Sequence, residues 1–178
     1  MVVTYSLIAI NFIFFAVQLY DFQIITVILG LNSLLISDGF YWQLFTNMFV
    51  HGSFIHIAMN MVVLYQFGNM IEPAIRYKYF LILYIGGGLL TSILSFPIIY
   101  TLYPNTNTVG ASGAISVLFG WLAYSDLSNR KGMIIAILVM TFGLMLLGLN
   151  VAWYGHFIGF GVGWVLGVIF RKINYRYA

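Results

Sequence analysis

Apolar residues in this chain gather in long runs separated by short polar breaks, and the lengths of those runs carry the first conclusion. Runs over roughly 5–20, 52–71, 79–100, 109–127, 133–149 and 151–170 each approach the ~20 apolar residues a helix needs to cross a bilayer. The pattern predicts an all-α, polytopic membrane protein of six transmembrane helices, organised as one domain over residues 1–178. One connection is long. Residues 21–51 mix apolar side chains with Asp21, Asp38, Gly39 and Trp42, unlike a solvated linker, and are expected to lie against the outer leaflet. Within it, Phe40, Tyr41 and Trp42 fit either an interfacial aromatic belt or a contact with substrate.

Composition agrees. Hydrophobic residues make up 62% of the chain, charged residues 6%, and the mean hydropathy is +1.01, far above globular values. The first run lacks the basic flank and small-residue cleavage site of a removable signal peptide. There is no cysteine, which excludes thiol catalysis, disulfides and cysteine metal sites together.

Charge sets the orientation. The seven basic residues are Arg76 and Lys78, Arg130 and Lys131, and Arg171, Lys172 and Arg176, all on one side of a six-span zigzag. The positive-inside rule therefore places those loops and both termini in the cytoplasm. Topology accounts for the net charge of +3, so nucleic acid is not expected as a partner. The expected setting is a multi-pass position in the plasma membrane of a prokaryote.

Candidate chemistry collects at the opposite, outer end. Ser112 and His156 begin the fourth and sixth runs at matched depth, within reach of a water-filled cavity open to the outside. Ser112, Ser116 and Gly120 recur every fourth position, as do Gly155, Gly159, Gly163 and Gly167. Helices in lipid associate through such small-residue stripes, so the fourth and sixth spans are expected to pack closely, with His156 facing span four. A serine is a poor nucleophile until a base takes its proton, and a neutral imidazole is a fitting base near pH 7. Ser112 and His156 form the candidate dyad; Ser116 is the rival nucleophile but lacks flanking glycines.

No carboxylate is placed to orient His156, since Asp21 and Asp38 fall in the outer loop and Glu72 and Asp126 at cytoplasmic helix ends. His56 and Asn60 stand four residues apart on one helix face, and their N–H groups are the candidate oxyanion donors; the bland reading is an interhelical hydrogen-bond pair. A metal site of His51, His56 and His156 is disfavoured, because His51 and His56 do not share a helix face and no carboxylate accompanies them. Neither metal nor cofactor is expected.

These residues resemble the rhomboid intramembrane serine proteases of six-span core type. The resemblance rests on His51, His56 and Asn60, on Gly110-Ala111-Ser112-Gly113, and on Gly155-His156 with Gly159, supported by Phe67-Gly68 with Glu72 and by the Trp42 segment. It implies Ser112 as nucleophile, His156 as general base, and His56, Asn60 and the Ser112 backbone N–H as the oxyanion hole. Gly110 and His51 are expected at the substrate-binding rim. The implied substrates are single-span transmembrane proteins cut near their outer helical end, where a weak helix unwinds most readily. The family often has Trp-Arg where this chain has Trp42-Gln43, which puts the firmness of the outer loop in question. A non-catalytic membrane chaperone on the same scaffold and a small transporter are the alternatives. Span five, apolar and rich in Met, Leu and Gly with almost no polar anchor, is a candidate gate for substrate, as is the outer loop.

Overall fold

The computed structural model describes residues 1–146 and 150–174; Arg176 and the end of the predicted fifth span therefore lie outside the described residues. The fold is all α. In chain order the helices are α1 (Val2–Gln18), α2 (Phe22–Leu29), α3 (Ser33–Ser37), α4 (Gln43–Thr46), α5 (Phe54–Leu81), α6 (Gly87–Leu102), α7 (Ser112–Ser125), α8 (Arg130–Leu138), α9 (Leu144–Leu146) and α10 (Trp153–Asn174). π-helical turns at Ile82–Gly86 and Val139–Gly143 join α5 to α6 and α8 to α9. Among the described residues, two apolar stretches, Phe54–Leu102 and Trp153–Arg171, are long enough to cross a membrane, and Val2–Gln18 and Ser112–Ser125 are shorter apolar helices.

The break expected between the second and third runs is compressed to one residue. Arg76 adopts φ 67° and ψ 152°, three residues after Pro73, so helical hydrogen bonding resumes almost at once in a new direction. A positive φ is costly for a residue with a β-carbon, and proline weakens the helix just ahead of it. The exposed Arg76 and Lys78 mark this corner.

α7 is buried along its whole middle, from Ala114 to Ala123, and forms the axis around which the other helices pack. Its tightest neighbour is α10. A β-carbon on Gly163 would collide with the Val117 carbonyl, one on Gly120 with the Phe160 carbonyl, and one on Gly159 with the Gly113 carbonyl. The two backbones therefore touch, as the small-residue stripes require. Gly155 departs from the stripe: the nearest atom to its missing side chain is Ser95 Oγ at 4.0 Å, on α6. α1 is fastened at one end by the buried Glu72, whose carboxylate accepts from the Val3 and Thr4 N–H groups at 3.1 and 2.8 Å, a favourable place for negative charge at a helix start.

The long connection folds into α2, α3 and α4. Asp21 caps α2 by accepting from the Ile24 N–H at 3.0 Å, and Asn32 caps α3 by accepting from Leu34 and Leu35. Gln43, where the missing arginine raised a question, holds this layer together. Its fully buried amide donates to the Val27 and Ile28 carbonyls at 2.9 and 3.1 Å and accepts from the Asn32 N–H at 3.0 Å. Trp42 donates its indole N–H to the Ile28 carbonyl at 3.0 Å with half its surface open, and Tyr41 is exposed.

Candidate active site

The site begins with a helix start that sequence alone misplaces. The fourth apolar run begins near residue 109, but the helix begins at Ser112, because Gly110 takes φ 121° and its N–H donates to the Asn47 carbonyl at 2.9 Å. That conformation suits glycine alone. A second reason for glycine lies beside it: a β-carbon there would sit 2.8 Å from His56 Nε2, and its next neighbour is Ser112 Oγ at 3.8 Å. Gly110 thus admits the His56 ring to the space next to the serine hydroxyl. At 14 residues, α7 spans ~21 Å, well short of the ~30 Å of a hydrocarbon core. Residues 103–111 lead into it, anchored by paired backbone hydrogen bonds between Leu31 and Thr108, both 2.9 Å.

Ser112 Oγ stands 3.0 Å from His156 Nε2, in hydrogen-bond range. His156 is 3% exposed and lies on the first turn of α10, brought to Ser112 by the glycine contacts further along the same helices. Its other nitrogen, Nδ1, is 3.0 Å from Thr141 Oγ1 in the π-helical turn before α9. Ser116, the rival, is fully buried and donates its hydroxyl to the Ser112 carbonyl at 2.7 Å. That bond occupies it inside its own helix.

His56 is oriented by its own chain. The Gly52 N–H donates to His56 Nδ1 at 3.2 Å, so in the neutral ring the proton sits on Nε2, the atom nearest Gly110 and Ser112. Asn60 is buried one turn deeper and donates one amide N–H to the His56 carbonyl at 2.8 Å, which leaves its second N–H for the site. The N-terminus of α7 adds further donors: Ala111 caps it without any side-chain bond, so the first N–H groups of the helix are not taken by a cap.

His51 occupies a supporting position and not the rim. It is fully buried, and its Nε2 accepts from the Ala111 N–H at 3.5 Å, propping the segment that leads to Ser112. Helical spacing had separated His51 from His56, yet their rings meet edge to face with centroids 5.1 Å apart. His51 precedes the start of α5 at Phe54, so the helical period does not govern it. Gln18 secures it further, accepting from the His51 N–H at 2.9 Å and donating to its carbonyl at 3.0 Å.

Two spaces adjoin these groups. An open cleft of about 800 Å³ is lined by His56, Asn107, Val109, Met145, Trp153 and Tyr154 among others. A small cavity of about 40 Å³ touches Ser112 and His156 together with Asn47, Ser92 and Ser95. The buried Ser95 hydroxyl has no protein partner, and the cavity has room for one or two water molecules.

Thr141, Gln18 and Asn47 were not singled out by sequence reasoning. Thr141 had a signal, being the only polar side chain in the apolar run 133–149. Gln18 and Asn47 act through backbone atoms of distant segments, for which sequence gives no spacing rule.

Comparison with known proteins identifies the family. The chain is 34% identical over 132 residues to Rhomboid protease GluP of Bacillus subtilis, covering 70% of this chain and 25% of that protein. It is 27% identical over 153 residues to Putative rhomboid protease YdcA of the same organism, covering 80% of this chain and 74% of the relative. Rhomboid-like protease 2 of Toxoplasma gondii is 27% identical over 142 residues, covering 75% of this chain and 49% of that protein. The chain thus spans about a quarter of GluP and about half of the Toxoplasma relative. Residues 38–173 match the Rhomboid domain, and with the apolar helices and the serine–histidine pair already described, the chain belongs to the rhomboid family, whose fold is polytopic and membrane-embedded.

Proposed function

We propose that this protein is an intramembrane serine endopeptidase that cuts single-span transmembrane proteins near their outer helical end. The observation that carries the reading is the 3.0 Å approach of Ser112 Oγ to His156 Nε2. In this mechanism His156 takes the Ser112 proton as the hydroxyl oxygen attacks the scissile carbonyl. The resulting oxyanion accepts from His56 Nε2–H, from the free Asn60 N–H and from the first N–H groups of α7. His156 then gives its proton to the leaving amine. Water enters and attacks the acyl carbon as His156 takes its proton, the bond from that carbon to Ser112 Oγ breaks, and His156 returns the proton to Oγ as the carboxylic acid leaves. The small cavity beside the dyad supports the last step, because a membrane enzyme must keep water where lipid would exclude it.

Six membrane spans with both termini in the cytoplasm suit this chemistry. Arg76, Lys78, Arg130 and Arg171 lie on parts of their helices remote from Ser112 and His156, and with those basic residues on the cytoplasmic side this supports a dyad and open cleft toward the outer face. The substrate must unwind before its carbonyls can reach Ser112, since an intact helix keeps them hydrogen-bonded.

The test is reconstitution into liposomes with a single-span reporter substrate. The wild-type protein should cleave it near the outer end of the span, and Ser112→Ala should abolish turnover while the protein stays folded. Cleavage by Ser112→Ala at the wild-type rate would remove Ser112 from the mechanism. Intact reporter with a folded wild-type protein across several substrate sequences would favour substrate binding without scission.

A further inference from the structure

A serine–histidine dyad works only if the ring nitrogen facing the serine is unprotonated, and something must hold the imidazole in that form. No carboxylate approaches His156 among the described residues, so the partner at Nδ1 decides the matter. That partner is Thr141, fully buried, with Oγ1 at 3.0 Å. A threonine hydroxyl has one proton, and a second bond fixes where it goes. Thr141 Oγ1 lies 2.8 Å from the Ile137 carbonyl, which can only accept, so the hydroxyl donates there. Its lone pairs are left to accept from the imidazole. Nδ1 therefore carries the hydrogen, and Nε2 faces Ser112 with a free lone pair.

We propose, building on the protease reading, that Thr141 is the positioning residue of the dyad: by accepting the Nδ1–H of His156 it fixes the tautomer and ring angle that let Nε2 receive the Ser112 proton. The Ser112–His156–Thr141–Ile137 chain then runs in one direction, each hydroxyl or ring donating to the next and the Ile137 carbonyl accepting at the end. Thr141 keeps its proton throughout and bears no charge. It differs in this from a carboxylate, which would also stabilise the imidazolium that forms during attack. Its location adds a consequence. Thr141 belongs to the fifth apolar segment, in the π-helical turn Val139–Gly143, a departure from regular helix often found at functional positions. Displacing this segment by one helical step would withdraw the acceptor and leave His156 free to adopt the unproductive tautomer.

The experiment compares Thr141→Val, which keeps the shape and removes the hydroxyl, with Thr141→Ser, which keeps the hydroxyl and removes a methyl group. With a membrane-embedded reporter, Thr141→Val should lower kcat by about 10–100-fold, by analogy with the loss of a hydrogen-bond partner behind a metal-ligating histidine, with KM little changed. Thr141→Ser should recover most of the rate. A packing role predicts the reverse order, with serine the worse substitution, and that order would overturn the proposal. Should Thr141→Val fail to fold, ¹⁵N NMR of histidine-labelled wild-type protein decides, the His156 signal being identified by its absence from His156→Gln. A neutral ring protonated at Nδ1 is the expected result, and protonation at Nε2 would overturn the assignment. The tautomer is read in the resting protein, so a failure of the protease reading, seen as a wild-type protein that never cleaves, is distinguishable from a failure of this one.

Discussion

The α7–α10 seam and the fifth apolar segment are made of similarly apolar residues, yet they are held in place very differently. Along the seam, glycines bring one backbone onto the carbonyls of the other, and α7 is covered on all sides. Over residues 130–143 the fifth segment buries Met133, Ile137 and Thr141, one residue per turn, while Ile134, Ile135, Leu138, Val139 and Phe142 are exposed. In water such exposure would drive the segment inward. In lipid it carries no such penalty, and only packing and hydrogen bonds hold a helix to its bundle. The two groups proposed to exchange a proton sit on the most closely packed part of the described molecule, and the group proposed to align one of them sits on a segment packed along a single buried stripe.

The comparison can be broken most forcefully at the seam. Gly163→Leu puts side-chain atoms where the Val117 carbonyl now lies, and overpacking of this kind costs ~1–3 kcal/mol or more. Thermal unfolding in detergent should show a clear loss of stability, accompanied by loss of cleavage; a variant as stable and active as wild type would mean the two backbones do not touch. Next in size is Gly110→Ala, which forces a β-carbon into a positive φ and against His56. Displacing one oxyanion donor, the role proposed for His56, costs ~10²-fold or more in kcat, and cleavage assays should find a loss of that order together with a lowered melting temperature from the strained backbone. Gln43→Ala tests the outer layer, removing the side-chain partner of the Val27 carbonyl and the Asn32 N–H while the Ile28 carbonyl keeps the Trp42 N–H. The cost for these partly buried groups is ~1–3 kcal/mol each at most, read as a lower melting temperature with activity retained on ice. The smallest effect belongs to the lipid-facing side of the fifth segment: Val139→Ala should alter stability by ~0.5 kcal/mol or less. Hydrogen exchange sharpens the same contrast. Amides of α8 should exchange sooner than those of α7, and equal protection would contradict the difference in attachment.

How much of this could be read from the chain depends on whether the partner is local. The stripes of Gly120 with Gly159 and Gly163 were legible, because four-residue spacing is a property of one helix and lipid leaves few other uses for it. Ser112 and His156 followed from their equal distance from the ends of two runs. The start of α7 was not legible to the residue, because hydropathy continues through Val109 and Ala111 and only the Gly110 backbone and its Asn47 partner end the helix. His51 was set apart from His56 since a helical period was applied to a residue outside the helix. Gln43 shows the limit most plainly: the loss of a familiar charge was visible, but the three backbone groups it still satisfies come from segments 11 to 16 residues away.

The central claim is that Ser112 is activated by His156, and a fluorophosphonate probe reads activation directly because it reacts with a serine only when a base assists. In native membranes the wild-type protein should acquire one covalent adduct, mapped by mass spectrometry to Ser112, and His156→Ala should lose it while Asp126→Asn keeps it. An adduct on Ser116, or labelling of Ser112 that survives the loss of His156 undiminished, would contradict the dyad.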